Sequence, residues 1–146
     1  MTTKDQQQEM IAKMRNWQKV ENESIASTGQ IMQKTDNPVI RLAMEIIQRD
    51  SQMHYWVQGW IADSLEYKTI SLSPEELATV WDMIERHVEI EKKMTKAAKE
   101  TLSSIGEKTM PIQKYLLNYL ADDEEKHTNL LSHLEDVKKW LSGHPY

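Results

Sequence analysis

The sequence predicts an all-α protein, a four-helix bundle built from two repeated helical hairpins. Three observations lead there. The 146 residues hold only four Gly and four Pro and are rich in Gln, Glu, Lys, Met, Ala and Leu, residues that lose little on entering a helix. Apolar residues recur at steps of three and four along four long stretches, and no stretch alternates as a half-buried strand would. Turn and cap residues interrupt the chain near residues 35–38, 66–74 and 104–111. A chain of this length can bury one core, so residues 1–146 are assigned to a single domain.

The first helix is expected over residues 4–34, with a stripe of Met10, Met14, Trp17, Ile25, Thr28 and Met32. Glu21 interrupts that stripe at its centre, whereas Glu23 falls on a polar side with Asn16, Lys19 and Gln30. The plainer reading of Glu21 is a surface acid at the stripe's edge. Thr35-Asp36-Asn37-Pro38 is a turn and helix start, since proline's fixed φ suits a first helical turn. The second helix, over 38–64, carries Val39, Leu42/Ala43, Ile46, Val57 and Trp60/Ile61, with Asp50 and Met53/His54 inside the stripe. A lone His on an apolar face is ordinarily a core residue bonded to a neighbour. Here an Asp stands one helical turn before it.

Residues 66–72 form a non-helical connector. With its flanks it makes about ten residues, reaching roughly 33–36 Å when extended. That is enough for a crossover that would run helices two and three parallel. Ser73-Pro74-Glu75-Glu76 opens the third helix, over 74–103, with a Ser cap, Pro in the first turn and acids at the positive dipole end. Its stripe is Leu77, Val80/Trp81, Ile84, Val88, Met94/Thr95, Ala98 and Leu102, with Glu91 at mid-stripe and His87 one turn earlier. After a loop at 104–108, the fourth helix begins at Met110-Pro111 and stops near Ser142-Gly143, leaving a frayed tail at 144–146. Leu116, Leu120, Leu130, Leu134 and Leu141 make its stripe, and Asp123, Glu124 and His127 sit among them. Helices of this length measure roughly 40 Å.

Composition narrows the function. A net charge of −5 with no offsetting basic stripe argues against nucleic acid as a partner. No apolar run is long enough to span a bilayer, so no membrane partner is expected. The residues MetThrThrLysAspGlnGlnGlnGlu lack the apolar core of a secretion signal. The absence of Cys removes disulfides, thiolate metal sites and cysteine nucleophiles together, and fits a cytoplasmic protein. Histidines, carboxylates and hydroxyls remain to do any chemistry.

The two halves repeat one design. Pro38 leads to Asp50 and His54 at the same intervals by which Pro111 leads to Asp123 and His127. Upstream, Val20-Glu21-Asn22-Glu23 is echoed by Val88-Glu89-Ile90-Glu91. Because the stripe decides what a side chain meets, Glu21 is paired with Glu91, which sets Trp17 against His87. Counted from the hairpin turns, Glu21, Asp50, His54, Glu91, Asp123, Glu124 and His127 fall at one height.

Such a layer asks for a cation. Two carboxylates about 5 Å apart repel by roughly 3 kcal/mol at an effective dielectric near 20, a large share of the ~5–15 kcal/mol that holds a domain folded. No Lys or Arg lies clearly on the stripes. Oxygen and imidazole donors without sulfur suit iron(II), manganese or zinc.

On these residues the chain resembles the ferritin-like di-iron carboxylate superfamily, which includes rubrerythrins and bacterioferritins. There one Glu from each of two helices joins a Glu-x-x-His from each of two others. Glu21 and Glu91 match the single glutamates, and Glu124-Glu125-Lys126-His127 matches one Glu-x-x-His. The resemblance implies a di-iron cofactor, with manganese or zinc as alternatives, and ferroxidase or oxygen- and peroxide-reducing activity. Trp17, Trp56, Trp60 and Trp81 are expected to fill the core or a dimer face, and a homodimer or higher homo-oligomer is expected. Ser51 stands where the second motif needs Glu, so Asp50 would have to serve beside His54. The Cys-based electron-transfer module of rubrerythrins and the fifth helix of true ferritins are both missing. The competing reading is a helical interaction protein whose buried polar layer fixes register or is a vestigial metal site.

Overall fold

The computed structural model describes residues 2–143. The tail expected to fray, 144–146, lies outside them. Four helices follow in order: α1 (Thr3–Gln33), α2 (Pro38–Glu66), α3 (Pro74–Ser103) and α4 (Pro111–Leu141), with no strand among the described residues. None of these helices is long and apolar enough to cross a membrane. Each begins on its local chemistry. Thr2 and Asp5 cap α1 reciprocally, as Ser73 and Glu76 cap α3. The Asn37 side chain accepts from the backbone N–H groups of Val39 and Ile40 at the head of α2. Met110, at the head of α4, has a left-handed backbone (φ 52°) and makes no side-chain cap bond.

The chain divides into two compact units, one ending at Ser71 and one beginning at Leu72. Each is an antiparallel helical hairpin. In the first, Arg15 meets Asp63, Gln18 meets Tyr55 and Ser24 meets Ser51, so later residues of α1 meet earlier residues of α2. In the second, the Lys138 ammonium lies 4.5 Å from the Trp81 ring centre and Lys99 pairs with Glu125, giving the same sense. Lys138 over Trp81 adds a cation–π attraction near the open end of this unit.

The seams follow a seven-residue period. On α1 the buried or half-buried positions include Ile11, Met14, Gln18, Glu21, Ile25, Thr28 and Met32. On α2 they include Met44, Gln48, Ser51, Tyr55, Gln58, Ala62 and Leu65. On α3 they are Leu77, Trp81, Ile84, Val88, Glu91, Thr95, Ala98 and Leu102, and on α4 they include Lys114, Leu117, Ala121, Glu124, Thr128, Leu131 and Lys138. Steps of three and four that repeat every seven residues keep two helices in register along a shallow supercoil.

This period corrects the expected stripes. Met10 and Trp17, expected inward, are 46% and 53% exposed, while Ile11 and Gln18 are buried in their place. On α2 the seam is Ser51, Gln58 and Ala62 rather than the more apolar Val57 and Trp60, which are 50% and 68% exposed. On α4 Ala121 is buried, whereas Leu120 and Leu130 are exposed. Small side chains let the paired helices approach closely. The bulkier apolar residues then fall on an adjoining face that the hairpin's own partner helix does not cover.

Removing the Ser73 cap leaves first-turn N–H groups of α3 unpaired. Ser73→Ala should lower stability by about 1 kcal/mol in a urea titration at unchanged m-value.

Candidate metal centre

The second unit brings three of the expected ligands together. Glu91 points from α3 into the seam and is 4% exposed. Glu124 and His127, one turn apart on α4, face it. One ligand atom from each of Glu91, Glu124 and His127 lies within 4.8 Å of the other two. His127 Nδ1 is 3.4 Å from Glu91 Oε1 and 3.6 Å from Glu124 Oε2. The opposite ring nitrogen, Nε2, is 3.3 Å from Asp123 Oδ2. A proton on Nε2 aimed at Asp123 leaves the Nδ1 lone pair facing the two glutamates. That is how a carboxylate orients a metal-binding imidazole.

Asp123 is therefore placed behind His127, not beside Glu124, and the choice between the two acids falls on Glu124 as the inward donor. Lys126 Nζ holds Asp123 at 2.8 Å, a basic partner that the stripes did not reveal. His87 also enters. Its Nε2 donates to Glu91 Oε1 at 2.9 Å from one turn back on α3, which anchors one carboxylate oxygen and leaves the other free.

The free oxygens are the telling feature. Glu91 Oε2 and Glu124 Oε2 are both buried without a hydrogen-bond donor. Two carboxylates facing each other need a proton or a cation between them. Without a cation the pair shares a proton. The hydrogen bond from Glu124, with help from His87 and His127, holds Glu91 below the usual carboxylate range against the opposing effect of burial. The same bond, burial and the Glu91 charge push Glu124 up, with His127 pulling the other way.

The first unit is built differently. Glu21 is buried at 6% exposure, not on the surface as its plainer reading had it. Its Oε2 accepts from Gln58 Nε2 at 2.8 Å and lies 3.4 Å from His54 Nδ1. Gln58 was not expected inward because the α2 stripe was placed through Val57 and Trp60/Ile61, one position away from the seam. The seven-residue step from Ser51 would have found it. Ser51, the counterpart of Glu124, is buried and shares a hydrogen bond with Ser24 at 2.8 Å. Asp50 is half-buried and makes no hydrogen bond or ion pair with Glu21 or His54. Of the seven expected ligands, the structure thus groups Glu91, Glu124 and His127, sets Asp123 behind them, joins Glu21 to His54, and leaves Asp50 apart.

No protein-family model, curated protein or solved structure matches the chain.

The shared proton fixes a pH dependence for metal-free protein. Glu124 is raised above its unfolded value of 4.5, so its contribution is complete below that value and is lost as pH rises through its folded pKa. Glu91 is lowered, so its contribution is present above the unfolded value and is lost as pH falls through its folded pKa. Chelator-stripped protein should therefore lose thermal stability as pH climbs above the usual carboxylate range. Glu124→Gln should flatten that decline in melting curves recorded between about pH 4 and 8.

Proposed function

We propose that the protein binds a divalent metal ion through Glu91, Glu124 and His127. One observation supports this most: Glu91 and Glu124 each keep a buried oxygen, Oε2, without a hydrogen-bond partner, in side chains that bring one ligand atom each within 4.8 Å of one another and of a His127 nitrogen. Two carboxylates and one imidazole neutralise a divalent cation and lack sulfur, which favours iron(II), manganese or zinc over copper(I). Glu91, anchored by His87, and His127, oriented by Asp123, are held for ligation before any ion arrives.

The wider reading is a ferritin-like four-helix bundle with a crossover between α2 and α3, self-associating through its apolar faces. Bound iron would supply one-electron chemistry toward oxygen or peroxide. In that reading the chain's residues hold the ion on one side, through Glu91, Glu124 and His127, and leave the opposite side open to substrate.

A second reading has its own observation. Trp17, Trp56, Trp60 and Trp140 are all more than half exposed, with Met53 and Met83, and aromatics and methionines of this kind suit a partner surface. In an interaction protein the polar seams would serve register alone.

Metal loading separates the two. Tag-free protein reconstituted with iron(II) or manganese(II) should retain metal through gel filtration and melt at a higher temperature. At a hundredfold excess over Kd the gain is about 2.7 kcal/mol. Glu91→Gln should abolish both effects. Less than about a tenth of an ion per chain after reconstitution favours the interaction reading.

A further inference from the structure

The resemblance to di-iron proteins implies two metal positions, yet the two halves of the repeat offer unequal chemistry. In the 72–146 unit two carboxylates face one another, each with an oxygen that no donor reaches. Ligand atoms about 2.0–2.2 Å from a common ion lie roughly 3.0–3.5 Å apart at neighbouring vertices. His127 Nδ1 is 3.6 Å from Glu124 Oε2, near that range, and 3.4 Å from Glu91 Oε1, the oxygen that also meets His87 and that leaves Oε2 of the same carboxylate unpartnered. Two negative charges meet a divalent cation with nothing left over.

In the 1–71 unit a single carboxylate occupies the seam. Glu21 Oε2 already takes the Gln58 amide N–H and faces His54 Nδ1. An amide nitrogen does not ligate these metals, and the Gln58 N–H competes with a cation for Glu21 Oε2 at a position with no second carboxylate to help hold the ion. The position matching Glu124 is Ser51, whose hydroxyl is engaged with that of Ser24. Among the described residues, Gln58 Oε1 is the one buried oxygen of this cluster without a donor, and it is neutral. Nothing there leaves a net charge of two to be balanced.

We infer that the chain holds one cation, not two: Glu91, Glu124 and His127 form a complete single-ion site within the 72–146 unit, and Glu21, His54 and Gln58 form a hydrogen-bonded register clamp that takes no metal. This rests on the metal-binding reading above. The two glutamates of the repeat, alike in sequence phase, have separate tasks.

Counting ions tests it. Chelator-stripped, tag-free chain is titrated with manganese(II), and free ion is followed by electron paramagnetic resonance. Wild type should saturate at one manganese per chain, with the bound spectrum of isolated ions. Glu21→Gln, its helicity checked by circular dichroism, should still take up one. Glu124→Gln should bind at least tenfold more weakly. Two ions per chain, a spectrum of an exchange-coupled pair, or loss of the ion in folded Glu21→Gln would overturn the single-ion assignment while leaving metal binding intact. No uptake by wild type would overturn the metal-binding reading and this inference together.

Discussion

The meeting of Glu91 and Glu124 across the α3–α4 seam is the constraint to which the rest of the second unit answers. Two carboxylates in a seam would drive the helices apart unless neutralised. The neighbours supply part of the answer. His87 takes one Glu91 oxygen, and His127 stands between both acids. Asp123 backs His127 and is itself backed by Lys126. This chain of contacts runs from Lys126 inward through Asp123 and His127 and ends on two oxygens with no hydrogen-bond partner. A proton or a cation completes it, and the choice links the unit's stability to pH and to metal.

The first unit solves the same geometric problem with fewer charges. Its seam is largely polar, through Gln18, Glu21, Ser24, Thr28, Gln48, Ser51 and Gln58, and these bond across or along the hairpin. Gln18 reaches the Tyr55 carbonyl and Gln48 that of Ile25. Such bonds contribute modestly to stability, while a lost partner costs more than the bond was worth. They select one register of α1 on α2, because a slip would orphan several groups at once. Register in the second unit rests more on Trp81, Ile84, Val88 and Ala98.

Small seam residues explain why so much apolar surface stays outside each hairpin. Ser51, Ala62, Ala98 and Ala121 are buried, whereas Val57, Trp60, Leu130 and Trp140 are at least half exposed. The seam buries no large side chain completely among the described residues. Burial between paired helices is therefore thin, and the polar clusters carry more of the specificity than they would under a thick core.

Helix number, order and bounds, the helix start at Pro38, the cap at Ser73, and the mid-helix placement of Glu21 and Glu91 were legible in the sequence, because local propensity and capping act over a few residues. The overlay of the two halves in sequence set Ser51 against Glu124. Side-chain direction was not legible. A 3.6-residue period and a seven-residue one part by only about 20° per seven residues, so the period did not fix the phase, and an edge placed one position away exchanges Trp17 for Gln18 and Val57 for Gln58. Nor could spacing separate Asp123 from Glu124, since both lie within about a turn of His127. Only the packed hairpin, by setting Glu124 against Glu91 and Asp123 against the far side of the imidazole, decided which acid faces inward. The sequence by itself determined which residues could meet at mid-helix; tertiary structure decided which did, because helix rotation is set by packing across the seam rather than along the chain.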